Sequence, residues 1–116
     1  VLLARQKVGG GGRAWVQQLS LPLLDGKLDL VSLFMLLAKQ NINSVLVEAG
    51  PRLCGALLEK GLVDELVLYQ APKLMGDEGR GLFHLPGLTR LFQAPKLTLK
   101  DVRLVGQDIR ITAKIA

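Results

Sequence analysis

The short run Ser44 to Val47, broken at once by Glu48-Ala49-Gly50-Pro51, constrains this chain more than any other stretch. It is nearly all apolar, the pattern of a strand covered on both faces. Pro51 suits the first position of a helix, because the N–H it lacks is one of the donors that a helix start leaves unpaired anyway. Leu53, Ala56 and Leu57 supply the buried stripe of that helix, and Gly61 after Lys60 marks its end. Asp64 and Glu65 open a further strand, Leu66 to Gln70, which Pro72 ends. Residues 44 to 72 therefore read as a βαβ unit, with a parallel pair and a right-handed crossover.

The flanking segments complete an α/β pattern. Val1 to Ala4 reads as a short strand, Gly9 to Gly12 as a flexible connector, and Trp15 to Leu21 as a second extended segment. Four glycines without a following Lys-Ser or Lys-Thr do not make a phosphate loop. Asp29 is a good N-cap for a helix with apolar residues at 30, 33, 34 and 37 and a second row at 31, 35 and 38, which Asn41 stops. Residues 73 to 96 are rich in Gly and Pro and read as loop, with one helical turn near Leu88 to Phe92. Leu97 and Leu99 alternate with polar residues, then the apolar parity switches to Val102 and Leu104, as a one-residue bulge would produce. After a turn at Gly106-Gln107-Asp108, Ile109, Ile111, Ala113 and Ile115 alternate with polar residues. The expected architecture is a mixed sheet, parallel inside, with an antiparallel C-terminal hairpin at one side.

Composition removes several function classes. Of 116 residues 49% are apolar and 22% charged, which excludes disorder. The net charge of +5 suits an anionic ligand, but it is spread along the chain with no basic block and no interleaving of aromatics with Lys or Arg, so nucleic-acid binding is not indicated. Leu33 to Ala38 is the longest apolar run, far short of the about 18 residues of a membrane span. The single Cys54 excludes an internal disulfide and fits cytoplasmic residence, and one Cys with one His84 builds no zinc site. The start at Val1, directly into a strand-like run and without a signal-peptide pattern, reads as an excised piece of something longer.

Catalytic side chains are sparse. No Ser/His/Asp spacing and no His-x-Glu with Cys-x-x-Cys is present, so triad hydrolysis and zinc deamination lack their groups. His84 reads as structural or exposed, and Cys54 as a small core residue. The informative site is Glu48 to Leu53. Ligands of open parallel sheets bind outside the carboxyl ends of strands, where a helix start offers free N–H groups and a positive dipole end. Gly50 would let a phosphate approach the main chain, and Arg52, Leu53 and Cys54 would supply the first-turn donors. Glu48, at the last strand position, is expected to point into the same crevice, either accepting from a ligand's N–H or O–H groups or simply ending the strand.

Val47-Glu48-Ala49-Gly50-Pro51, Gly55-Ala56-Leu57-Leu58, Gly61 to Leu66, Ala71-Pro72-Lys73-Leu74, Gly76 through Phe83, and the tail with Asp101-Val102-Arg103 and Val105 to Asp108 closely resemble the reductase domain of the bifunctional riboflavin-biosynthesis deaminase/reductase, RibD. The resemblance runs from about residue 28 to the end. It implies a dihydrofolate-reductase-like fold, NADPH as hydride donor, and reduction of the ribosyl group of a phosphorylated aminouracil to a ribityl chain. Carried over by position, Glu48 corresponds to a substrate-contacting carboxylate, and Gly50, Pro51, Arg52, Leu53, Cys54, Gly55 and Ala56 to the turn and helix start that hold the cofactor's phosphates. Ala49 replaces a glycine common in the family, and Arg52 replaces a usual Thr, exchanging a hydroxyl for a guanidinium. Residues 1–116 are then expected to form a single reductase domain, incomplete at its N-terminal side and without the deaminase domain. The alternative is a catalytically silent structural or dimerising fragment of that enzyme. Apolar surface on Leu30, Leu33, Phe34 and Leu37 and on the strand Ile109 to Ile115 points to a homo-oligomer, with the C-terminal hairpin as the contact.

Overall fold

The computed structural model describes residues 2–6, 10 and 14–116. These fall into two compact units, residues 1–46 and 47–116. In the first, β1 (Leu2–Arg5) and β2 (Gln17–Ser20) pair in parallel, with Leu2 opposite Gln17 and Arg5 opposite Ser20. The Leu21 N–H continues the ladder to the Arg5 carbonyl at 2.9 Å, and Leu19 and Leu21 are buried. Of the expected glycine connector only Gly10 is described; Gly9, Gly11, Gly12 and the expected strand residue Val1 lie outside the described residues.

A short hairpin follows, β3 (Leu23–Leu24) against β4 (Lys27–Leu28). Its turn is Asp25-Gly26, both at positive φ, a conformation that Asp tolerates and Gly adopts freely. Helix α1 (Leu30–Lys39) starts as expected at Asp29, whose carboxylate accepts from the Val31 N–H at 3.1 Å and the Ser32 hydroxyl at 2.7 Å. It ends before Asn41, which takes the left-handed conformation at φ 60°. Leu30, Leu33, Phe34 and Leu37 are half-buried, whereas Val31, Met35 and Ala38 are exposed. The covered stripe is thus narrower than the sequence suggests.

The expected βαβ unit does not form. Ser44 to Val47 joins no ladder among the described residues, and Leu46 is 80% exposed. The segment beyond the helix, β5 (Glu65–Gln70), is a strand as expected, but its partner is antiparallel: Leu66 lies opposite Ala113 and Gln70 opposite Ile109. An apolar run reports a preference for burial and carries no label for which strand edge it should meet. Helix α2 (Pro51–Glu59) has the expected limits, with Pro51 at its first position and Gly61 at φ 64° after it.

The second unit is built on a sheet of order β5-β7-β6, where β6 is Leu97–Val105 and β7 is Asp108–Ile115. All its pairs are antiparallel, so the expected parallel interior is absent from this sheet, and the hairpin strand β7 is central instead of lying at one side. The parity switch is real. Leu99 faces Ala113 and Asp101 faces Thr112, leaving Lys100 as the extra residue of a bulge. Register then places Leu66 and Leu68, Ile109, Ile111, Ala113 and Ile115, and Leu97, Leu99, Val102 and Leu104 on one face. Ala113, in the middle of that face, is fully buried, as is nearly all of Leu57 on α2.

The other face carries charge. Arg103 and Arg110 lie directly opposite each other, which like charges disfavour. Asp101 joins them, accepting from Arg103 Nε at 2.6 Å and Arg110 Nη2 at 3.1 Å. The hydrogen bond from Arg103, then that from Arg110, hold the Asp101 pKa below the ordinary carboxylate value. Asp101, then Tyr69, raise that of Arg110. Because the Asp101 pKa is lowered by folding, its contribution to stability is complete above the usual carboxylate range and is lost as pH falls through the lowered value. Asp101→Asn should therefore lower the urea midpoint at neutral pH, and its difference from wild type should close on acidification. A difference that is independent of pH would show that the carboxylate charge is not what holds the two arginines together.

Candidate functional site

The site starts where the chain enters α2. Gly50 is the N-cap, extended at φ −76° and ψ 172°, and its carbonyl accepts the first helical bond, from the Cys54 N–H at 3.1 Å. Pro51 has no N–H, so Arg52 and Leu53 carry the first-turn amides left over by the helix geometry. Cys54, expected to add a third, has its amide committed to Gly50, and its thiol donates to the Ala49 carbonyl at 3.4 Å. A β-carbon built on Gly50 meets nothing within 4 Å, which leaves the approach to this main chain open.

An open depression of about 560 Å³ lies against this helix start, lined by Gly50, Pro51, Arg52, Leu53, Arg80 and His84. Two arginines thus line a depression at the positive end of a helix dipole, a composition suited to an anion. Four of the residues singled out from sequence, Gly50 to Leu53, line it together. Glu48 is exposed and lies three residues before Pro51, but it is not part of the lining, and the structure does not bring it into the same crevice. Ala56 is half-buried on the next turn.

Gly55 has a different setting. It is buried, and a β-carbon there would fall on the His84 carbonyl oxygen, with the His84 carbonyl carbon at 2.8 Å and nitrogen at 3.0 Å. The His84 N–H donates to the Pro51 carbonyl at 2.9 Å. The main chain of the 73–96 segment is therefore seated on α2 at Gly55, which carries Arg80 and His84 to the rim of the depression. Sequence reasoning missed Arg80 altogether and read His84 as structural or exposed. Arg80 stands alone between Gly79 and Gly81, outside any periodic pattern, and the only hint available was a glycine inside a helix, which commonly marks a close approach. A second depression, of about 360 Å³, lies near the other end of α2 between Leu58, Glu59, Leu85, Leu88 and Pro95, and carries no cationic side chain.

Residues 8–111 match the RibD C-terminal domain. The chain belongs to this family. It is 55% identical over 100 residues to the riboflavin biosynthesis protein RibD of Escherichia coli K12, covering 84% of this chain and 27% of that protein. It is 35% identical over 85 residues to the 5-amino-6-(5-phosphoribosylamino)uracil reductase of Buchnera aphidicola from Acyrthosiphon pisum, covering 73% of this chain and 41% of that one. Among solved structures, RibD of Acinetobacter baumannii matches with a TM-score of 0.75 at 34% identity, over 87% of this chain and 27% of that one. The chain thus spans about a quarter of the length of these RibD proteins. Within this RibD C-terminal domain, no helix of the described residues is long and apolar enough to cross a membrane.

The open surroundings of Gly50 give a structural prediction. Valine adopts its extended backbone without strain, so Gly50→Val should destabilise by no more than about 1 kcal/mol, the scale of changing an N-cap residue. Thermal unfolding of the variant checks this, and a loss of several kcal/mol would mean that the turn is packed.

Proposed function

We propose that this chain is the part of a riboflavin-biosynthesis reductase that holds the dinucleotide, in an enzyme reducing the ribosyl group of 5-amino-6-(5-phosphoribosylamino)uracil to a ribityl chain. Family membership supports the reading. So does the relative named as the reductase of that compound. The observation that carries it is that Arg52 and Arg80 both line the depression at the first turn of α2. NADPH, the dinucleotide proposed, supplies the hydride when bound. The chain's own part is to bind and orient: the Arg52 and Leu53 amides and the two guanidiniums meet phosphate oxygens, and Gly50 keeps a side chain out of their way.

Within this reading residues 1–116 belong to a reductase domain of the dihydrofolate-reductase-like class. Glu48 acts on the substrate: its carboxylate accepts N–H donors of the pyrimidine and so fixes the orientation in which hydride transfer occurs. Work on a soluble dinucleotide suits residence in the cytoplasm, where the lone Cys54 stays reduced. A second reading, self-association through the C-terminal hairpin, is favoured by the β6 side of the apolar face, where Leu99 is 62% and Leu104 73% exposed. The two readings are compatible, since β6 belongs to the sheet and not to the depression.

Two substitutions in the full-length protein test the assignment. Gly50→Val should weaken NADPH binding by at least roughly tenfold, a loss typical of a blocked charged hydrogen bond, while the fold stays intact. Unchanged affinity for NADPH in that variant would remove the phosphate from this turn. Glu48→Gln should raise the KM for the aminouracil or lower kcat by roughly tenfold or more, with NADPH affinity unchanged. Joint loss of substrate binding, cofactor binding and thermal stability would instead make Glu48 a structural residue.

A further inference from the structure

We propose that Gly55 is a positioning residue, which seats the 80–84 main chain on α2 and thereby presents Arg80 as the second guanidinium for the diphosphate of the dinucleotide. The proposal rests on the functional reading above and assigns Gly55 a role other than touching the cofactor. The geometry leaves little choice. Gly55 faces the His84 main chain and not the open depression, and any β-carbon would collide with the His84 carbonyl group. Main chain cannot move aside as the end of a flexible side chain can, so a larger residue must lift the segment away from the helix. The His84 N–H is bonded to the Pro51 carbonyl one helical turn before Gly55, so lifting the segment also breaks that bond.

Arg80 is only four residues upstream of the seat, and it lines the depression with Arg52 although the two are far apart in sequence. It sits among exposed loop residues, and no ion pair recorded among the described residues involves it. Nothing on its own segment prepares it for a ligand; the seat at Gly55 does. A main chain held in this way loses less backbone freedom when its arginine meets a phosphate than a free loop does. His84, at the seat itself, contributes through its main chain.

Three variants of the full-length protein test this: Gly55→Ala, Arg80→Ala and the two combined, with His84→Ala as control. Amide hydrogen exchange should show the His84 amide exposed in Gly55→Ala while the β7 amides remain protected, and His84→Ala should keep its protection. The KM for NADPH should rise roughly 10-fold or more in each single variant with kcat within about twofold, and the double variant should be no worse than Arg80→Ala, since Gly55 acts through Arg80. Retained protection of the His84 amide, an unchanged KM, multiplied effects in the double variant, or loss of β7 protection along with His84 would each overturn the proposal. Inorganic pyrophosphate, titrated by calorimetry, separates this from the functional reading. If wild-type protein does not oxidise NADPH, that reading has failed, yet weaker pyrophosphate binding in both single variants would still support the seat, and equal binding would overturn it.

Discussion

Strand β7 has both edges hydrogen-bonded, and the rest of residues 47–116 depends on that. It accepts β5 along one side and β6 along the other, so its backbone groups are satisfied without a second layer. The consequence is visible at Ala113. Flanked by Leu66 and Leu99, it is fully buried in a sheet of only three strands. A larger residue there would have to displace neighbours on both sides, whereas β6, with one free edge, leaves its apolar side chains largely exposed.

The same strand organises charge. Register puts Arg110 of β7 directly opposite Arg103, and the bulge at Lys100 brings Asp101 onto their face. In an unbulged register Asp101 and Arg103 would both turn to the apolar face, and Val102 and Leu104 to the charged one. The parity switch in β6 is therefore also a device that pairs charge on one face and keeps leucines on the other.

At the helix start the controlling contact is between main chains. A phosphate-binding turn needs exposed amides, which loops provide readily, and fixed cations, which they do not. Here the loop that carries Arg80 reaches the depression because a segment without regular structure is held against α2 by one hydrogen bond and one missing side chain. Arg52 needs no such help, since it is part of the helix. The two guanidiniums at the depression thus have different origins, one set by helix periodicity and one by a tertiary contact.

Local chemistry made much of this legible before any fold was known. Asp29 as a cap, Pro51 and Gly61 as the limits of α2, the strand at 65–70, and the bulged hairpin each follow from which φ angles, donors and side-chain periods a few neighbouring residues allow. The short β3–β4 hairpin went unread although Asp25-Gly26 suits its turn, because two-residue strands are too brief for periodicity to register. Gly50 to Leu53 could be named as a site because a helix start exposes its own amides. Pairing could not be read. The apolar run 44–47 looked like a central parallel strand, and β5 looked like its partner, yet β5 meets β7, some forty positions away in sequence. Strand edges are chemically alike along the chain, so their choice of partner is made by the whole set of competing contacts. Arg80 joined the site for the same reason: its place is set by the absence of a β-carbon at Gly55, a residue on another element, and only tertiary structure connects the two.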